Sequence, residues 1–192
     1  MRPLADTPPR PLRADAQRNR ASVLLGARKA FREEGLDAEM ASIARRAGVG
    51  VGTVYRHFPT KEALLEALTL DHFDRLAEIV EGVEAREEDP WTALERHIWE
   101  TATHTAEDVG MCEVLSQAPT TAEMAAAHRL RQASWRIVEK AKAAGVVRAD
   151  ATADDIPLMM CGFGRIAATQ RAGAPMGWQR YLEIMLDGLR PR

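Results

Sequence analysis

The sequence predicts an all-α protein. Three observations carry that expectation. Apolar residues recur at spacings of three and four along most of the chain, helix-capping residues stand at the ends of those stripes, and alternating β-branched runs are hard to find. The 192 residues, 46% hydrophobic and 28% charged, suit a soluble globular protein. They suffice for one compact domain or for a small domain joined to a larger one. No apolar run approaches the roughly 20 residues that span a bilayer, so no membrane partner is expected.

Residues 1–15, "MRPLADTPPRPLRAD", hold three arginines and four prolines but no apolar core. They read as a disordered basic arm rather than a secretory leader. From Ala16 to Glu34 the pattern is helical, with Val23, Leu24, Ala27, Ala30 and Phe31 on one face and Gly35 as the stop. Gly26 inside this helix costs about 1 kcal/mol against Ala, and close approach by another helix is its expected use. "AEMASIARRAG" predicts a short second helix with Met40, Ile43, Ala44 and Ala47 inward and Arg45 and Arg46 wet. "TVYRHF" predicts a third, ended by Pro59, with Phe58 in the core.

Thr60 caps a long fourth helix whose stripe runs from Leu64 past Gly82. Asp89 and Pro90 start a fifth, carrying Trp91, Leu94, Ile98 and Ala102. A short segment, "MCEVLS", follows. Thr120 and Glu123 form a capping box for a helix that ends at Gly145. Thr152 caps a helix over Asp155–Gln170, and the last helix covers Trp178–Leu189.

The stretch "AGVGVGTVYRHF" from Ala47 offers two chemistries. A phosphate-binding loop needs a strand before its glycines and a helix after them. Here a helix precedes them, no Gly-Lys-Ser/Thr follows, and Gly48, Gly50 and Gly52 miss the dinucleotide spacing. Two short helices joined by a glycine turn are instead a helix-turn-helix. Charge agrees with that reading. Residues 1–61 hold 12 Lys/Arg against 6 Asp/Glu, whereas residues 62–192 hold 14 against 22. A basic head on an acidic body suits a polyanion met by the head alone.

"AFREEGLDAEMASIARRAGVGVGTVYRHFPTKEALLEAL" resembles the DNA-binding head of the tetracycline-repressor (TetR) family of bacterial transcription regulators. The pieces that carry the likeness are "AFREEG", "IARRAGV", "GTVYRHF" and "KEAL", and the ending "YLEIMLDGLR" is similar to one branch of the family. Glu39 and Met40 stand where many members have two threonines. The resemblance implies a helix-turn-helix domain over 16–61 and a ligand-binding and dimerisation domain over 62–192. It also implies a recognition helix in the major groove of a pseudo-palindromic operator.

In that setting Thr53 suits a phosphate, a base edge or a thymine methyl. Val51 and Gly52 at the helix tip offer only apolar or backbone contacts. Specificity then shifts toward Arg56, Ser42, Arg45 and DNA shape. Tyr55 and His57 carry polar tips for phosphates, and Lys61 adds a cation at a helix start. For the body, the resemblance implies a homodimer through the last two helices and a small, mostly apolar effector that releases a repressor from DNA. Candidate effector contacts are Trp99, Thr101, His104, Met111, Cys112, Met124, His128, Gln132, Trp135, Met160, Phe163 and Arg165.

No Ser-His-Asp set, carboxylate pair or metal-ligand spacing is believable, so neither an enzyme, a cofactor nor a metal is expected. Cys112 and Cys161 lie far apart and outside any Cys-x-x-Cys pattern. They suit a reduced, cytoplasmic protein.

Overall fold

The computed structural model describes residues 10–108, 121–152, 154–170 and 177–191. It divides into two compact units, Met1–Leu65 and Glu66–Arg192. The secondary structure of the described residues is helical, as the sequence predicts. The "MCEVLS" segment and the Thr120 cap lie outside the described residues.

In the first unit, α1 (Arg10–Glu34) buries Val23, Leu24, Ala27, Ala30 and Phe31. It begins at Arg10, not at Ala16, so part of the expected arm is helical. Ala14 is half-buried and residues 15–18 are exposed. An apolar stripe cannot reveal turns that do not pack. A one-turn 3₁₀ segment at Gly35–Asp37 leads to α2 (Met40–Ala47), which buries Met40, Ile43 and Ala44. Gly48, at φ 69°, reverses the chain. Its N–H donates to Arg45 O at 3.3 Å, and the Val49 N–H donates to Ala44 O at 3.1 Å. This double closure is the Schellman end of a helix and needs a left-handed residue at that point.

After Gly50 comes α3 (Val51–His57), whose Val54 is fully buried. Phe58 is core, as expected, and Pro59 ends the helix. Thr60 Oγ1 accepts the Ala63 N–H at 3.1 Å and caps α4 (Lys61–Arg86). The close approach expected at Gly26 is present. A Cβ there would lie 2.7 Å from the Ala47 nitrogen, 2.8 Å from its Cβ and 2.9 Å from its Cα. The absent side chain is what lets α2 lie on α1.

In the second unit, α5 (Pro90–Glu107) is central. Asp89 caps it by accepting the Thr92 N–H at 2.8 Å, with Pro90 in the first turn. It packs against α6 (Thr121–Ala143), α7 (Asp155–Gln170) and α8 (Trp178–Leu189). The core joins Val80 and Val83 of α4, Leu94 and Ile98 of α5, Ile137 and Val138 of α6, Phe163 of α7, and Leu182 and Leu186 of α8. At α7 the cap runs through the acid. Asp155 Oδ2 accepts the Thr152 N–H at 2.6 Å and its hydroxyl at 3.1 Å. None of the described helices is long and apolar enough to cross a membrane.

Candidate nucleic-acid interface

The turn at Gly48 sets the direction of α3. With Val54 and Phe58 turned into the core, the opposite face of this helix must be wet. Val51 is 41% and Tyr55 48% exposed, and Gly52 and Arg56 are exposed with them. A Cβ at Gly52 would meet nothing within 4 Å. Thr53 and His57 are half-buried at the edges of that face, with the His57 ring centroid 6.3 Å from that of Phe58. The short helix therefore presents one apolar tip, one bare backbone position, one phenol and one guanidinium. Arg45 on α2 is exposed as well.

Two of the expected contacts are placed differently. Ser42 is buried. Its hydroxyl donates to Glu34 at 2.7 Å and accepts from Arg45 at 3.1 Å and from Arg46. The residue joins the end of α1 to α2 and positions Arg45 rather than facing solvent. Lys61 is half-buried. Its ammonium donates to the Leu36 carbonyl and sits 5.9 Å from the Phe31 ring centroid. A carbonyl and an aromatic face within reach of a flexible stem draw the charge inward.

Arg46, read from sequence as wet, is only 20% exposed and pairs with Glu34 at 2.6 Å and with Glu33. Its hydrogen bond holds the Glu33 carboxyl below the usual carboxylate range. The opposing partners sit on the last turn of α1, thirteen and twelve residues away, where helical spacing gives no sign of them.

Two family models match this chain. The model for bacterial regulatory proteins of the tetR family covers residues 23–68. The model for the SbtR-like transcriptional regulator C-terminal domain covers residues 89–191, more than half of the chain. The chain belongs to the TetR family of bacterial transcriptional regulators.

A TetR transcription regulatory protein from Mycobacterium vanbaalenii is 36% identical, with a TM-score of 0.70 over 94% of this chain and 99% of that one. The TetR regulator SCO0520 from Streptomyces coelicolor is 34% identical, with a TM-score of 0.66 over 90% of this chain and 98% of that one. The regulator UidR of Escherichia coli K12 is 37% identical over 75 residues. This alignment spans 38% of this chain and 38% of that one. TetR proteins are DNA-binding regulators rather than enzymes.

The effector candidates of this TetR body divide. Trp99 of α5, Phe163 of α7 and Trp178 of α8 meet, with ring centroids 5.9 Å apart for Trp99–Trp178 and 5.4 Å for Phe163–Trp178. Thr101 is buried, and its Oγ1 lies 3.9 Å from the Met160 sulfur. Met124, His128, Gln132 and Trp135 do not join them. All four lie on the exposed side of α6, opposite the face of Ala133, Ile137 and Ala141. Their spacing does describe a helix face, but the smaller aliphatic stripe won the core.

Met111 and Cys112 lie outside the described residues, as do the side chains of Arg165 and Cys161. His104 is half-buried. It meets two residues that the sequence did not flag, His72 and Asp108. The one trace in the sequence was the His104-x-x-x-Asp108 spacing, which is common on any helix.

Proposed function

We propose that this TetR protein is a sequence-specific repressor, released from its operator by a small, mostly apolar ligand, and that it works in the cytoplasm as a dimer paired through its last two helices. The observation that carries the DNA contact is the exposed Val51, Gly52, Tyr55, Arg56 face beyond a glycine turn, joined by Arg45. Such a tip reads bases weakly by hydrogen bond, so DNA shape and Arg56 set the preference. Two half-sites about one helical turn apart need two heads. The exposed Leu158 of α7 and Ile184 of α8 support pairing through those helices, because such side chains gain from being covered.

The aromatic contacts of Trp99, Phe163 and Trp178, and the Met160 sulfur beside the Thr101 hydroxyl, support an apolar effector. Induction follows when that effector binds the non-DNA form more tightly.

Selection of bound sequences from a random duplex pool tests the reading. The expected result is an enriched pseudo-palindrome with two half-sites. A pool that stays random through successive rounds refutes sequence-specific binding.

A further inference from the structure

We propose that the body carries a site for a divalent transition-metal ion built from His72, His104 and Asp108. His72 stands on α4. His104 lies in the last turn of α5 and Asp108 just beyond it, so their spacing of four puts them on one face. Each of the three residues offers one ligand atom, and these atoms all lie within 4.8 Å of one another. The two imidazole rings stack, 5.5 Å between centroids and 29° between planes. They lie side by side, as two ligands of one ion do, rather than end to end. His72 Nδ1 and Asp108 Oδ2 are 3.8 Å apart.

That last distance exceeds a hydrogen bond. It is close to the separation of roughly 3.0–3.4 Å that neighbouring ligands need around an ion with bonds of 2.0–2.2 Å. Side-chain torsions can close the difference. Two imidazoles and one carboxylate form a borderline donor set that suits Zn²⁺, Fe²⁺, Co²⁺ or Ni²⁺ rather than Ca²⁺ or Mg²⁺. Both His72 and Asp108 are buried, in surroundings where a dication gains strongly from a carboxylate. Three protein ligands leave further positions open to water or to an oxygen-bearing effector.

The helix that carries His72 begins at Lys61, in the DNA-binding unit. Filling the site therefore changes operator affinity. This second clause rests on the regulator reading, whereas the site itself does not.

The test uses the full chain, stripped with chelator and titrated with Co²⁺ and then Zn²⁺. One ion per chain is expected, with a ligand-field absorption from Co²⁺ that Zn²⁺ abolishes. His104→Gln and Asp108→Asn each weaken uptake at least about thirtyfold, with unchanged helical circular dichroism. Should the buried Asp108 variant fail to fold, the half-buried His104 variant decides.

No saturable uptake at millimolar ion, or uptake that His104→Gln leaves unaltered, overturns the site. With the selected duplex, Zn²⁺ shifts the affinity of the wild type at least about fivefold and leaves that of His104→Gln where it was. A filled site with unmoved operator affinity overturns the regulatory clause. Metal-free wild type that binds no duplex counts against the regulator reading instead, and the metal titration then judges the site alone.

Discussion

Replacing Gly26 by alanine sets two effects of opposite sign against each other. Helix propensity alone favours Ala by about 1 kcal/mol in the middle of a helix. The contact with α2 opposes it, because the new Cβ falls 2.7–2.9 Å from three atoms of Ala47. Carbon contacts settle near 3.5 Å or beyond, so α2 must retreat by about 0.8 Å. That helix carries Met40, Ile43 and Ala44, all buried, and each loses contact as it moves. Overpacking of this kind costs about 1–3 kcal/mol.

The contact wins, and Gly26→Ala loses about 1–2 kcal/mol of head stability. Each kcal/mol lowers the melting midpoint by about 4–8 °C in a unit of this size. Amide exchange localises the loss, with residues 40–57 deprotected while α5 and α6 keep their rates. Adding Ala47→Gly does not rescue the variant, since two of the three clashing atoms belong to the backbone. A Gly26→Ala protein that is more stable than wild type by about 1 kcal/mol refutes the packing argument.

Three further outcomes are expected. His97 is 1% exposed, and its ring nitrogens have no hydrogen-bond partner among the described residues. Burial pushes its pKa down from 6.5 to about 4. The denatured chain therefore takes up a proton that the native one refuses, and stability falls as pH drops from about 6.5 to 4, by about 3 kcal/mol in all. Urea titrations across that window show the slope, and His97→Phe flattens it. Tyr55→Ala weakens operator binding by about 1–3 kcal/mol, and Arg56→Ala relaxes the base preference, both read by gel-shift titration. Ser42→Ala removes the acceptor and donor that tie α1 to α2, so thermal unfolding of the head drops by about 1–2 kcal/mol. Unchanged melting would return Ser42 to the list of plain surface contacts.

Much of this molecule is legible as a string. Helix ends at Gly35, Gly48, Asp89 and Gly145 follow from local chemistry, and so did Gly26, where a costly residue marked a close approach. The exposed side of α3 was legible for the same reason, because Val54 and Phe58 had to point inward. What stayed hidden depends on partners far along the chain. Ser42 reads as a polar surface residue until Glu34 and Arg46 are seen around it. Lys61 reads as a free cation until Leu36 turns its carbonyl toward it. On α6 two stripes competed, and periodicity cannot say which one is covered. His72 lies 32 residues before His104, so no spacing rule joins them.

Position 52 has a consequence for changing what this regulator recognises. A Cβ introduced there meets nothing within 4 Å, and the backbone is not in the left-handed region. In the proposed DNA complex, exchanging the glycine for asparagine, glutamine or arginine adds hydrogen-bonding reach toward the groove, and it raises helix propensity as well. Altered operator preference at this residue is thus separable from altered folding, which makes it the natural first position to randomise.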